Sequence, residues 1–191
     1  MDALAKYIDS VCPLSPDSYQ ELRNCFKPAH LSKYDFFVRQ GQYAKQIGFL
    51  NKGVIRAFFV NQSGKEYTKQ FFMPLSIIGA YTSLIKKEPN QVAQQALTDC
   101  EILVANYSEI EILFDSFHDM ERLGRNIAER FFLEKEQKEI EMALLNGAER
   151  YRILQTRFPG IETMVPQYHI ASYLGISPTQ LSRIRAKIKK R

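Results

Sequence analysis

The sequence predicts an α+β protein in which a compact all-β unit precedes a long helical region and a C-terminal pair of short helices. Short β-branched and aromatic runs broken by glycine occupy residues 36–105. Residues 108–145 have a helical pattern, with a clear apolar stripe over 118–133. Residues 166–191 carry evenly spaced apolar side chains around a single glycine. Together these patterns predict one β-rich and two helical regions.

The β-rich region contains several short strands separated by turn residues. Glycines at 41, 53, 64 and 79 recur at roughly the spacing expected of a small all-β roll or barrel. The segment NQSG at 61–64 is typical of a hairpin turn. A helix is expected before this region, at about 15–27. The predicted strands cover residues 47–50, 54–60, 66–72 and 100–105.

Residues 108–146 are predicted to form a long helix with an apolar stripe. A helix of this length exceeds what one small β-domain can cover, so we interpret it as a dimerisation helix. The alternative is a core helix that packs on its own domain. The predicted dimer interface consists of Met120, Leu123, Ile127 and Phe131.

The last 26 residues hold the excess positive charge of the chain. The formal net charge is +5, yet residues 166–191 contain six Lys or Arg and no Asp or Glu. The other 165 residues carry 20 basic and 21 acidic side chains. A localised basic segment is the electrostatic signature of a polyanionic partner.

The same segment has the apolar pattern of a helix–turn–helix. Small Ala171 and turn residue Gly175 fall where two helices would cross and where the chain would reverse. Ser177-Pro178-Thr179-Gln180 is a start signal for the second helix, with a predicted capping box. The predicted inward-facing apolar residues are Ile170, Leu174, Ile176, Leu181 and Ile184.

In such a motif the second helix enters the major groove of DNA and its early residues meet base edges. Gln180 and Arg183 are the predicted base readers, because Gln suits adenine and Arg suits guanine. The early positions expected to be exposed are Ser177, Thr179, Gln180, Ser182 and Arg183. The alternative is an amphipathic hairpin whose basic face is merely solvated.

Basic residues in the last turns are predicted to contact phosphates, which adds affinity but little sequence preference. His169, on the first helix, is a further candidate phosphate contact, although a lone exposed histidine is more often passive. The predicted phosphate contacts are Arg185, Lys187, Lys189, Lys190 and Arg191.

Other functional classes find little support in the sequence. Cys12, Cys25 and Cys100 are odd in number and far apart, which argues against disulfides, zinc or an iron–sulfur cluster. His30 and His118 are weak candidates for haem ligands. We find no nucleophile elbow, Walker loop or HExxH motif. The sequence also contains no signal peptide and no apolar run long enough to span a membrane. We therefore expect no enzyme activity, metal, cofactor or membrane segment, and a cytoplasmic location.

Two stretches carry a recognisable combination of motifs, IASYLGISPTQLSRIR and GQYAKQIGFLNKGVIRAFFVNQSGKE. Through them the chain resembles the Crp/Fnr family of bacterial transcription regulators. The resemblance implies a cyclic-nucleotide-binding-like double-stranded β-roll, a dimerisation helix and a winged-helix-like helix–turn–helix. It also implies a homodimer on palindromic double-stranded DNA, with RNA polymerase as a candidate partner. Pro178, Thr179 and Arg183 occupy the positions of the family's main base contacts.

The effector cassette departs from the family pattern. Nucleotide-binding members carry Gly-Glu and, about ten residues on, Arg followed by Ser or Thr and Ala. Here Ala80 follows Gly79, and Asn90 or a neighbour replaces the arginine. Lys86 and Lys87 are nearby substitutes for the lost cation. The pocket implied by the resemblance consists of Gly79, Ala80, Tyr81, Asn90 and Gln91.

The sequence therefore predicts a homodimeric DNA-binding regulator whose cyclic-nucleotide pocket is degenerate, with an effector that is absent or unknown. The alternative is a ligand-gated regulator that binds a nucleotide or another small anion through the altered cassette. The predicted divisions are a sensor domain at 1–107, a dimerisation region at 108–146 and a DNA-binding domain at 147–191.

Overall fold

A computed structural model describes residues 2–189, with Lys189 described by its backbone only. The strands are β1 (Lys27–Leu31), β2 (Phe36–Val38), β3 (Gln46–Lys52), β4 (Ile55–Val60), β5 (Glu66–Phe72), β6 (Ser76–Ile78), β7 (Ala93–Ala96) and β8 (Cys100–Asn106). The helices are α1 (Ala3–Val11), α2 (Pro16–Cys25), α3 (Tyr81–Lys86), α4 (Tyr107–Ser116), α5 (His118–Leu144), α6 (Gly147–Arg157), α7 (Ile161–Met164), α8 (Gln167–Leu174) and α9 (Pro178–Lys189). The predicted α+β class is confirmed.

The strands form a roll of two antiparallel four-stranded sheets. One sheet has the order β1-β8-β3-β6 and the other the order β2-β7-β4-β5. Leu50, Ile55 and Ile102 are completely or almost completely buried in the apolar cluster that holds the two sheets together. The inward residues alternate with outward ones because successive strand side chains point to opposite faces. The predicted β-roll is confirmed.

Two turns of the roll depend on residues that the sequence marks. Asn61 begins the β4–β5 turn, and its side-chain oxygen accepts hydrogen bonds from the backbone amides of Ser63 and Lys65. Gly53, between β3 and β4, has a φ of 100°. A Cβ atom there would lie 2.5 Å from the carbonyl oxygen of Asp99, so the close approach of two backbones requires glycine.

The predicted long helix is interrupted at Phe117, which separates α4 from α5. The first half of α5 packs against α1, α2 and α4 of its own chain. Met120 is 1% exposed and Leu123 is 4% exposed in that cluster, and Ile127 packs at its edge. Assigning Met120 and Leu123 to a dimer interface was wrong, because the N-terminal helices of the same chain cover them. Ile127 is only partly buried, and its assignment stays a prediction.

The second half of α5 keeps an uncovered apolar surface. Phe131 is 41% exposed, Phe132 63% and Leu133 60%. Ile140 and Leu144 are also exposed further along the helix. Of the four predicted interface residues, Phe131 alone belongs to this exposed surface, which begins where α1 no longer covers the helix.

Helices α6 to α9 form a C-terminal unit around Leu154, Ile161, Ile170, Leu174 and Leu181, all at most 1% exposed. Gly175 ends α8 in the left-handed region at φ 66° and turns the chain into α9. The predicted helix–turn–helix geometry therefore forms. Its apolar core continues into the roll, because the same cluster includes Val54, Phe71 and Leu97.

Candidate nucleic-acid interface

Helix α9 begins at a two-way cap between Ser177 and Gln180. The Ser177 hydroxyl accepts a hydrogen bond from the Gln180 amide at 3.2 Å, and the Gln180 side-chain oxygen accepts one from the Ser177 amide at 3.0 Å. Pro178 occupies the first helical position, where its missing amide hydrogen costs nothing. The capping box predicted from the sequence is present.

The outward face of α9 is open to solvent. Leu181 is 1% exposed and anchors the helix, whereas Arg183 is exposed. Within residues 2–189 the Arg183 guanidinium has no assigned hydrogen bond or ion pair, so all its donors are available to a base edge. The other exposed residues of this face are Ser177, Pro178, Thr179, Gln180 and Ser182.

Gln180 is less free than the sequence suggests. Its side-chain oxygen is used by the cap, and bidentate pairing with adenine needs both the oxygen and the amide group. Base reading by Gln180 would therefore break the cap. Arg183 remains the unencumbered candidate.

The predicted phosphate contacts differ in their availability. Lys187 is exposed, whereas the Arg185 Nε atom lies 3.2 Å from a carboxylate oxygen of Glu162. That ion pair lowers the net positive charge that Arg185 offers to a phosphate. Lys189 ends α9, and Lys190 and Arg191 lie outside the described residues.

His169 is not available as a phosphate contact in this structure, which contradicts the sequence-based assignment. It is 3% exposed, and its Nδ1 atom lies 2.7 Å from Nη1 of Arg56. Burial, together with the positive charge of Arg56, lowers the pKa of His169 to about 4. The imidazole is therefore neutral near pH 7 and accepts a hydrogen bond from the guanidinium.

Asn90, in the segment that corresponds to the family's cassette, uses its polar groups in hydrogen bonds within the roll. Asn90 is 6% exposed; its amide donates to the carbonyls of Val92 and Arg39, and its oxygen accepts from the Val92 amide. It closes the loop rather than facing a ligand. Ala80 is buried at the start of α3, and Gln91 is exposed. Assigning Asn90 to the pocket was therefore wrong.

Gln94 is a polar residue inside the roll that the predicted pocket did not include. It is 3% exposed, and its amide donates to the carbonyl of Gly79 at 2.9 Å. Its side-chain oxygen is buried without a hydrogen-bond partner among the described residues. Tyr81, by contrast, is 55% exposed and its ring contacts Tyr107.

Among the described side chains, no cation inside the roll replaces the family's arginine. Lys86 and Lys87 are exposed, so they do not fill that role. Among the side chains described, Arg56 is the one lysine or arginine that is fully buried. It lies on the outer face of its sheet, against His169, and is already paired with Glu66. A buried phosphate without a cation is costly, which disfavours a cyclic nucleotide in the usual pose.

Metal and redox sites find no support in the described part of the chain. There, no group of three or more His, Cys, Asp or Glu side chains is placed to hold a metal ion. The three cysteines are free, and burial raises the pKa of the Cys100 thiol. Within residues 2–189 no helix is both long enough and apolar enough to cross a bilayer.

Comparison with known proteins identifies the class of fold. Residues 28–117 match the family model of the cyclic nucleotide-binding domain. The anaerobic regulatory protein of Bacillus subtilis (strain 168) is 24% identical over 98 residues, which is 51% of this chain and 41% of that protein's length.

Two solved structures match nearly the whole chain. The global regulator CLP of Xanthomonas campestris has a TM-score of 0.70 at 18% identity, covering 92% of both chains. A protein from Eubacterium rectale assigned to the Crp/Fnr family of transcriptional regulators has a TM-score of 0.72 at 11% identity, covering 92% of this chain and 84% of its own. The fold is that of the Crp/Fnr regulators, as the sequence motifs predicted.

Proposed function

We propose that this chain is a sequence-specific, double-stranded DNA-binding transcription regulator that acts as a homodimer. The observation that carries the proposal is α9: a capped helix, anchored by Leu181, that presents Thr179, Ser182 and Arg183 to solvent. Its basic residues follow in the last turns, where they add phosphate affinity. RNA polymerase is the further partner that this class of regulator implies.

We place the dimer contact on the exposed second half of α5. Phe131, Phe132 and Leu133 are adjacent and exposed, and Ile140 and Leu144 extend the apolar surface toward the C-terminal unit. Contiguous exposed apolar groups of this size are typical of an interface. A palindromic site requires a symmetric dimer that presents one α9 helix from each copy.

The test begins with selection of genomic DNA fragments by the ligand-free protein at near-physiological salt. We expect enrichment of a palindrome whose half-sites lie about 10 base pairs apart, and a dimer in sedimentation at micromolar concentration. Arg183→Ala should cost about 1–3 kcal/mol on the selected site and relax its specificity.

Arg122→Ala is the matched control, because Arg122 is an exposed arginine on the first half of α5 and its loss changes the charge equally. Equal affinity of wild type and Arg183→Ala for the selected site would overturn the assignment of the reading helix. Diffuse, strongly salt-sensitive binding by the wild type would overturn specific recognition altogether.

One observation favours a second candidate, a ligand-gated regulator. The buried, unpartnered oxygen of Gln94 beside Gly79 is an acceptor without a donor among the described residues. A neutral ligand that donates a hydrogen bond suits this group better than an anion. The relative from Xanthomonas campestris is described as responsive to c-di-GMP, so nucleotides belong in the test.

A thermal-shift screen with nucleosides, cyclic mononucleotides and c-di-GMP tests this candidate. A true ligand at 100 times its dissociation constant stabilises the protein by about 2.7 kcal/mol. Gln94→Leu should abolish the shift. A shift that persists in Gln94→Leu would exclude this site.

A further inference from the structure

The C-terminal unit is docked on the β-roll of its own chain through one continuous apolar core. Phe71, on the outer face of β5, contacts the rings of Phe158 and Tyr173, with centroids 5.8 and 5.2 Å away. Val54 and Leu97 of the roll join the same cluster. The helix–turn–helix formed by α8 and α9, called the reader below, therefore packs directly on the roll of the same chain.

Arg56 is the polar centre of this contact. It is 4% exposed, and its Nη1 atom lies 2.7 Å from His169 Nδ1 and 2.5 Å from a Glu66 carboxylate oxygen. Its Nε and Nη2 atoms donate to the Gln95 side-chain oxygen at 3.2 and 2.8 Å. Its guanidinium carbon also lies 3.7 Å from the centre of the Phe58 ring. A buried guanidinium with this many partners strongly specifies where α8 must lie.

A second set of bonds fixes α8 along β5. The Ser172 hydroxyl accepts from the Thr68 amide at 2.8 Å and lies 3.2 Å from the Glu66 carbonyl oxygen, to which it donates. Because both partners are backbone groups, this pair determines the register of the helix against the strand. Ser172 is one residue before Tyr173, which enters the shared apolar core.

The same unit is also fixed to α5. Glu141 of α5 forms a two-bond ion pair with Arg157 of α6, at 2.5 and 3.1 Å. Lys138 of α5 donates to the carbonyl of Lys69 in β5 and lies 3.5 Å from the centre of the Tyr173 ring. The roll, α5 and the C-terminal unit therefore contact one another around Lys138 and Tyr173. The position of α9 relative to the proposed dimer helix is determined there.

The docked arrangement leaves the reading face free. Ser177, Thr179 and Arg183 are exposed while His169 and Tyr173 are buried. The contact therefore does not mask the base readers, and inhibition by occlusion is not its consequence. The contact between α8 and the roll instead restricts the position and angle of α9 relative to the rest of the chain.

We propose that Arg56 is a positioning residue that sets the half-site spacing the dimer accepts, by locking α8 to the β-roll. This inference rests on the proposed function. Two recognition helices must lie about 34 Å apart to reach successive major grooves. A reader that is packed on the roll already has a fixed position, so the two recognition helices of the dimer fit one spacing. A reader that moves freely loses conformational entropy on binding and can fit several spacings.

The experiment uses the full chain and a series of duplexes in which two copies of the selected half-site are separated by the optimal spacing, or by one or two base pairs more or less. A duplex with a single half-site completes the series. Wild type should bind one spacing best and lose affinity steeply on either side. Arg56→Gln should flatten this profile and weaken binding to the optimal site about tenfold. Its loss on the single half-site should be smaller.

Arg39→Gln is the matched control, since Arg39 lies 3.9 Å over Phe36 on the same chain but is exposed and has no contact with α8. It should keep the wild-type profile. Ser172→Ala is the milder variant, because it removes two bonds to β5 and leaves every apolar anchor in place. It should flatten the profile partially.

The outcomes separate the two proposals. An unchanged spacing profile in a folded Arg56→Gln protein overturns the positioning role while the regulator proposal stands. If Arg56→Gln fails to fold, as judged by thermal unfolding, an unchanged profile in Ser172→Ala overturns it instead. A wild type that prefers no paired site over a single half-site overturns the proposed function itself.

Discussion

The two helices of the reader, α8 and α9, are neighbours in one motif and have opposite surroundings. Five of the eight residues of α8 are buried, including His169 and Tyr173 on the side toward the roll. Helix α9 has one fully buried anchor, Leu181, and an open outward face. One helix is therefore a structural anchor and the other a surface for recognition. Because α8 is buried against the roll, His169 on that helix does not make the DNA contact that its position in the motif predicted.

The largest expected effect comes from removing the apolar anchor of α8. Phe71→Ala deletes the ring that contacts both Phe158 and Tyr173, and buried Phe→Ala changes typically cost about 3–5 kcal/mol. We expect the free energy of unfolding in urea to fall by that amount. Phe59→Ala is the control, since Phe59 is 38% exposed on β4 and should cost far less. Equal losses would mean that the docked core contributes little.

A smaller effect on the free energy of unfolding should come from His169, the polar part of the same contact, when the pH is lowered. The pKa of His169 is about 4 in the folded protein, below its usual value of about 6.5, because burial and Arg56 disfavour the charged ring. The unfolded chain therefore takes up a proton first as pH falls. Stability is fully present above about pH 6.5 and declines as pH falls toward 4.

Glu66, which also faces His169, opposes this shift but does not reverse it. Unfolding should be followed between about pH 7.5 and 5.5, where carboxylates hardly titrate. His169→Gln should lose the decline, whereas His30→Gln should retain it because His30 is exposed on β1. A decline that survives in His169→Gln would assign the pH dependence to other groups.

The smallest effect should come from the cap of α9. Ser177→Ala removes the hydroxyl that accepts from the Gln180 amide, and loss of such a cap costs about 0.5–2 kcal/mol. Ser182→Ala removes an exposed hydroxyl from the same helix without touching the cap. Thermal unfolding should separate the two variants. If they unfold alike, the cap does not contribute to the stability of the folded chain.

Features that depend on neighbours in sequence were predicted well. The Asn61 turn, the Gly175 turn and the Ser177 cap each depend on residues within about four positions of one another. Such interactions recur at fixed offsets, so a pattern is enough to find them. Strands β3, β4, β5 and β8 were predicted from short apolar runs, whereas β1, β2, β6 and β7 were not. The roll as a whole followed from strand spacing and from motifs shared with a known family.

The stripe on α5 shows where pattern stops being sufficient. Met120 and Leu123 have the spacing of an interface, but α1, α2 and α4 cover them. An amphipathic stripe predicts that another apolar surface covers it, but it does not identify which element provides that surface. The choice between its own N-terminal helices and a second copy depends on where the chain places α1.

By itself the sequence determined the strands β3, β4, β5 and β8, where α9 begins, and that positive charge gathers at one end, because these are matters of local periodicity and composition. Only the tertiary structure decided that His169 faces Arg56, 113 residues away in the chain. It also decided that Asn90 closes a loop and that the reader shares its core with the roll. The contacts of His169 with Arg56 and of Asn90 with Arg39 join residues far apart in sequence, and burial together with the charge of Arg56 keeps His169 neutral.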